Sequence, residues 1–238
     1  MTERPVLNER LRIIGLKKSF TLHNQGGSRL DVLNGVDLAV TAGECVALHG
    51  RSGAGKSSLL RAIYGNYLPQ EGHILVRHGD GVVDMATAPP RLILEVRRQT
   101  MGYVSQFLRV IPRVPTLDIV AEPLLRLGVE PDSARERAGA MLERLAIRRR
   151  LWSLAPATFS GGEQQRVNIA RGLVADLPVL LLDEPTAALD AENRAAVIEV
   201  IRAARNRGAA VVGIFHDREV REALTTSLFT MQPEEVAA

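Results

Sequence analysis

Between an apolar run that ends at His49 and a helical run from Ser58 to Tyr64 lies Gly50-Arg51-Ser52-Gly53-Ala54-Gly55-Lys56-Ser57. Its spacing is G-x-x-x-x-G-K-[ST], and a strand before it and a helix after it are the context in which that spacing has a physical meaning. Glycines let the backbone curl so that successive N–H groups point inward, and the helix that follows adds the positive end of its dipole. A concave, electropositive backbone of this kind holds phosphate. Lys56 then bridges terminal phosphates and the Ser57 hydroxyl is offered to a hard cation such as Mg²⁺. A strand, a glycine loop and a helix in direct succession also fix the fold class, because they form the first unit of a parallel α/β core.

The rest of the chain extends that core. Short continuous apolar runs recur at Val46 to His49, Met101 to Val104, Val179 to Leu182 and Val211 to Phe215. Runs of this type are buried on both faces and belong to a largely parallel sheet with helices between the strands. The N-terminal part follows a different pattern. Leu11 to Leu16 and Val32 to Val40 contain alternating apolar positions separated by Asn24-Gln25-Gly26-Gly27-Ser28, which predicts an antiparallel β-layer. Arg77 to Pro90 is expected to form a strand-and-loop excursion before a helix from Arg91 to Arg98. About seventy residues from Phe107 to Leu177 carry helical periodicity at Asp118 to Leu127 and Ser133 to Leu145, and are expected to form a helical insertion at roughly 107–177. The expected architecture is one α/β domain over residues 1–238, a P-loop NTPase core with an antiparallel β-subdomain and a helical subdomain.

Composition narrows the setting. A net charge of +3 over 238 residues, with the arginines dispersed, gives no basic block for nucleic acid. No stretch approaches the roughly 18 uninterrupted apolar residues of a membrane span, and the N-terminus lacks a signal-peptide core, so a cytoplasmic location without direct membrane insertion is expected. The single cysteine, Cys45, lies in the apolar run Cys45-Val46-Ala47-Leu48 and is expected to be a buried structural thiol.

The run from Val179 ends in Asp183-Glu184. Two acids at the end of a strand are often no more than a solvated edge. Beside a phosphate loop they acquire a task, with Asp183 reaching the coordination sphere of Mg²⁺ and Glu184 orienting or deprotonating the attacking water.

Further segments carry a resemblance. Phe159-Ser160-Gly161-Gly162-Glu163-Gln164-Gln165-Arg166 is similar to the signature motif of the ABC ATPase family, and Leu189-Asp190 to its D-loop. Gln106 resembles the Q-loop glutamine, His216 the switch histidine, and Phe20 the aromatic residue that stacks on adenine. The motifs follow in family order along essentially the whole chain. The resemblance implies an ABC-type cassette that binds and hydrolyses Mg·ATP. It implies nucleotide contacts from Phe20, from Gly50, Ser52, Gly53, Ala54, Gly55, Lys56, Ser57 and Ser58, and from Ser160, Gly161, Gly162, Glu163 and Asp190. Mg²⁺ would be held by Ser57, Gln106 and Asp183, and catalysis would rest on Glu184, His216 and Gln106. In this family the signature residues grip the ATP held by the phosphate loop of a second cassette, so one chain makes half of each site. Two departures are small: Phe20 where tyrosine is frequent, and Ser58 where threonine commonly follows the Mg²⁺-binding serine.

Tyr64 to Pro69, the segments His78 to Asp84 and Ala86 to Pro89, and above all Ser105 to Arg113 are similar to the PhnL-type ATP-binding subunits of the bacterial carbon–phosphorus lyase pathway. That resemblance implies an ATPase supporting formation of ribose 1-methylphosphonate 5-triphosphate from ATP and a phosphonate. Its partners would be the lyase core complex and a second cassette, either another copy of this chain or PhnK. The alternative is the ATP-binding subunit of an ABC membrane transporter.

Overall fold

In a computed structural model the structure describes residues 8–22, 28–106 and 113–231. Five strands form a parallel sheet: β3 (Cys45–His49), β6 (Met101–Val104), β7 (Val179–Asp183), β8 (Ala210–Ile214) and β9 (Ser227–Thr230), in the order β6-β7-β8-β3-β9. Four strands form an antiparallel sheet: β1 (Glu9–Leu22), β2 (Ser28–Thr41), β4 (Glu71–His78) and β5 (Gly81–Asp84), in the order β2-β1-β4-β5.

The continuous apolar runs owe their composition to burial on two faces. Successive residues of β3, β7 and β8 point to opposite sides of the sheet. Cys45, Ala47, Leu180, Leu182 and Val211 enter one core with the helices, whereas Val46, Leu48, Val179, Leu181 and Val212 enter a second with the antiparallel sheet. All five residues of β7 and all five of β8 are buried. The first core also takes in α3 (Thr116–Arg126), α4 (Pro131–Arg144), α5 (Gly161–Leu173) and α6 (Ala191–Asn206). The second takes in α1 (Lys56–Ile63) and α2 (Pro90–Gln99).

The antiparallel layer holds more than the two strands its alternation announces. The excursion after Arg77 is a hairpin, β4 paired with β5 from Leu75↔Asp84 to His78↔Gly81. In β1 the alternation of Leu11 and Ile13 breaks before Leu16, because the register with β2 shifts between Ile13 and Leu16. A shift of this kind moves the buried position by one and leaves Leu16 fully buried. The helical insertion between β6 and β7 consists of α3, α4, two short 3-10 turns at Arg149–Leu151 and Pro156–Thr158, and α5. Its first residues, and the part of the Ser105 to Arg113 segment at 107–112, lie outside the described residues, as does the predicted turn at 24–27. Among the described residues no helix is long and apolar enough to cross a membrane. A short helix, α7 (Arg218–Leu224), precedes β9.

Candidate functional site

The carboxyl ends of β3, β7, β8 and β6 deliver the site, as expected for an open parallel sheet. After β3 the backbone turns through Gly50 to Gly55 and enters α1 with Gly55 as its N-cap at φ 82°. That left-handed conformation suits glycine, and a Cβ at position 55 would come within 2.5 Å of the Val32 carbonyl oxygen of β2. The loop is thus pressed against the antiparallel layer at the point where the helix starts. Arg51, Ser52 and Gly53 face solvent, Ala54 and Gly55 are buried, and Lys56, Ser57 and Ser58 are half-buried. The Lys56 ammonium donates to the carbonyls of Gly50 and Arg51, both at 2.8 Å, and so sits in the hollow of the loop.

Ser57 and Asp183 meet across the sheet. The Ser57 hydroxyl donates to Oδ1 of Asp183 at 3.0 Å, and Asp183 is only 3% exposed. A hydroxyl and a single carboxylate, both hard oxygen donors, suit Mg²⁺, which keeps several of its positions for water and phosphate oxygens. A second hydroxyl, that of Tyr103 on β6, donates to Oδ2 of Asp183 at 3.1 Å.

The next residue gathers the remaining candidates. Glu184 holds a positive φ of 52°, unusual for a non-glycine residue, and its N–H donates to Ile214 at the end of β8. Its two carboxylate oxygens accept from two elements, with His216 Nε2 at 2.7 Å from Oε1 and Gln106 Nε2 at 3.2 Å from Oε2. A carboxylate only accepts, so the short contact puts a proton on His216 Nε2. Glu184, Thr186, Arg194, His216 and Asp217 line a concavity of about 350 Å³. A carboxylate held between an amide and an imidazole, beside a phosphate loop, can orient a water for in-line attack.

The signature segment begins α5. Ser160 is the N-cap in a capping box: its hydroxyl accepts from the Glu163 N–H at 3.3 Å, and the Glu163 carboxylate accepts from the Ser160 N–H at 3.0 Å. The Ser160 hydroxyl also donates to that carboxylate at 2.8 Å, which with the backbone contact holds the Glu163 carboxyl below its usual range. Ser160 and Gly161 face solvent at the positive end of the helix. Asp190 caps α6 by accepting from the Asn193 N–H at 2.9 Å, a contact that lowers its carboxyl pKa.

Hydrogen bonds join Ser57 to Asp183 and Gln106 and His216 to Glu184, while Lys56 is held by the loop carbonyls. Ser160 to Glu163 and Asp190 make none of these bonds; Ser160, Gly161 and Asp190 are exposed, and Gly162 and Glu163 are half-buried. Phe20, on β1, stands edge-on to Tyr67 with ring centres 5.1 Å apart, and the Lys18 ammonium lies 5.0 Å from its ring centre.

Several supporting residues were not among the expected site residues. The Asn168 amide of α5 donates to the Ser105 carbonyl at 2.7 Å, next to Gln106, and Gln165 donates to the Pro185 carbonyl at 3.3 Å, next to Glu184. Tyr103 joins them. Only the helical spacing of Gln165 and Asn168 within the signature helix could have drawn attention to a pair on one face. Between α2, β6, α3 and α5 lies a second cavity of about 140 Å³, lined by Arg97, Arg98, Arg126 and Arg171 together with Tyr103.

With this geometry in place, comparisons with known proteins add a lineage. The profile of the family described as "ABC transporter" matches residues 33–187. The chain is 37% identical to the lipoprotein-releasing system ATP-binding protein LolD of Legionella pneumophila (strain Paris), over 88% of this chain and 91% of that one. It is 36% identical to the macrolide export ATP-binding/permease protein MacB of Escherichia coli, over 88% of this chain but only 32% of MacB. Among solved structures it is similar to an ATP-binding cassette captured as a dimer in a post-hydrolysis state with ADP and Pi, with a TM-score of 0.84 and 27% identity over 93% of this chain and 94% of that one. The two-sheet core with its helical part is the ABC cassette fold.

Proposed function

The chain belongs to the ABC transporter family, and from that premise we propose that it is a Mg·ATP-hydrolysing subunit that closes on a second cassette and uses the closure to work a separate partner. The observation that carries this is that the Lys56 ammonium sits in the hollow of the loop, the next residue Ser57 donates to Asp183, and the residue after Asp183, Glu184, is held by Gln106 and His216.

In this reading Lys56 leaves the loop carbonyls to bind the β- and γ-phosphates, while the loop N–H groups hold the remaining oxygens. Ser57 and Asp183 would hold Mg²⁺, which would supply positive charge to the phosphate oxygens. Glu184 accepts hydrogen bonds and so orients the attacking water, with Gln106 fixing its second oxygen. His216 donates from Nε2 to the charge that develops on the terminal phosphate. Phe20 supplies an aromatic face for the base. Ser160, Gly161 and Asp190 are exposed, and in this reading they serve the nucleotide of the opposite cassette together with Gly162 and Glu163. The dimeric state of the similar solved cassette supports that arrangement.

For the partner, the relatives' names support the transport reading, in which this chain energises a membrane permease. In this reading the arginine-lined cavity between α2 and α3 is the face such a partner would meet. One observation favours a second reading. The segments Tyr64 to Pro69, His78 to Asp84 and Ser105 to Arg113 resemble PhnL-type subunits, for which the partner is the carbon–phosphorus lyase complex together with PhnK or a second copy. Identity near 37% with LolD extends along the cassette, the part that all such ATPases share, and leaves the partner to be decided by experiment.

The test is affinity purification of tagged Glu184→Gln protein from its own host with Mg·ATP, with mass spectrometry of soluble and membrane fractions. Recovery of a permease supports transport. Recovery of soluble carbon–phosphorus lyase subunits supports the second reading and removes the first.

A further inference from the structure

The Asp183 carboxylate is buried, and the described hydrogen bonds to it come from two hydroxyls, one to each oxygen. Ser57 holds Oδ1 and Tyr103 holds Oδ2. In the proposed reaction the Ser57 oxygen would offer a lone pair to the metal while its O–H still donates to Oδ1, so that hydrogen bond alone fixes one edge of the carboxylate. The contact from Tyr103 is to the other oxygen, Oδ2, and sets the rotation of the carboxylate about its Cβ–Cγ bond.

Tyr103 is itself fixed. Its ring stacks on Tyr64 with centroids 5.0 Å apart and planes 28° from parallel. The Arg97 guanidinium lies 4.5 Å from the Tyr64 ring centre, and Arg97 donates to the Tyr64 carbonyl at 2.8 Å and to the Asn66 side chain at 3.0 Å. Tyr64 closes α1 as its C-cap residue, directly after the helix that starts at Lys56. The phosphate-loop helix, α2 and β6 are therefore braced together through two stacked rings, and the hydroxyl at the end of that brace reaches Asp183.

We propose that Tyr103 is a positioning residue for magnesium: its hydroxyl fixes the plane of the Asp183 carboxylate so that Oδ1 stays turned to Ser57 and to the metal that this pair would hold. The inference rests on the reading of the chain as a Mg·ATPase. A phenylalanine in the same place would keep the stack and lose the hold on the carboxylate.

The experiment is Tyr103→Phe, which removes one oxygen and keeps the ring. Binding of a fluorescent ATP analogue is measured in EDTA and in a magnesium titration, and hydrolysis is measured against both magnesium and ATP. The expected result is an unchanged affinity in EDTA, a magnesium half-saturation raised about 10-fold, and kcat lowered about 10-fold at an unchanged KM for ATP. A Tyr103→Phe protein with the wild-type magnesium response overturns the proposal. So does a loss of affinity that is equal with and without magnesium, since that reports a general distortion of the loop. If the wild-type protein shows no magnesium-dependent ATP binding or hydrolysis, the Mg·ATPase reading fails first, and this is seen before any variant is made.

Discussion

His216 Nε2 lies 2.7 Å from Oε1 of Glu184, a contact between the turn after β8 and the turn after β7 that puts an imidazole donor on one oxygen of the carboxylate while Gln106 occupies the other. Glu184→Gln keeps the shape and removes the charge, so one of the two donors loses its acceptor. The expected outcome is a fall in kcat of about 10²–10³-fold with ATP affinity changed by less than a few-fold. Phosphate release and equilibrium binding check the two halves of that statement, and wild-type turnover would remove Glu184 from its role.

The outward direction of Ser160 and Gly161 makes a prediction about mixing. Lys56→Ala and Ser160→Arg are each expected to abolish hydrolysis. If two copies of this chain pair, an equimolar mixture contains heterodimers in which one of the two sites carries neither change, and roughly a quarter of the sites are restored. Activity in the mixture measures this directly. No recovery would point to a different second cassette as the natural partner.

Gly53 and Gly55 separate two costs of adding a methyl group. Both have φ near 82°, but a Cβ at Gly53 meets nothing within 4 Å, whereas at Gly55 it meets the Val32 carbonyl at 2.5 Å. Gly53→Ala should lose about 1–3 kcal/mol of stability from backbone strain alone. Gly55→Ala should lose more and should weaken nucleotide binding at least 10-fold, because the loop must move away from β2. Denaturant melts and ATP titrations of the two variants check the order.

Burial pushes the Cys45 thiol up to about 12 from an ordinary value of 9.0. The folded protein therefore keeps this proton where the unfolded chain has lost it. Stability contributed by the thiol is complete below pH 9.0 and is lost as pH rises from there toward 12. Cys45→Ala should flatten that alkaline decline, read from denaturant midpoints between pH 8 and 11. Iodoacetamide at pH 8 should leave Cys45 unmodified in the folded protein and label it after unfolding.

Much of this was legible because the signals are local. The phosphate loop, the acids after β7 and the capping box at Ser160 each lie within a few consecutive residues, and the parallel strands announce themselves by burial on both faces. Longer reach was lost. The bonds from Tyr103 to Asp183 and from Asn168 to Ser105 span 80 and 63 positions, and no periodicity links such residues. The short strand β9, with alternating exposure over four residues, has too little apolar character to stand out before the sheet is assembled. The register shift in β1 was equally hidden: the alternation falters at Ile14-Gly15, but only the pairing with β2 shows that the strand continues through a shift to Leu16. Residues 107–112 of the Ser105 to Arg113 segment, on which the resemblance to one partner class leans, lie outside the described residues.

The helix α5 holds the turn before Gln106 through Asn168 and the turn after Glu184 through Gln165, while its first residues face away from both. In the proposed pairing of two cassettes, the end of α5 that would meet the partner's nucleotide and the turns beside Gln106 and Glu184 belong to one rod, so contact at the interface and the setting of the water-orienting groups are mechanically joined.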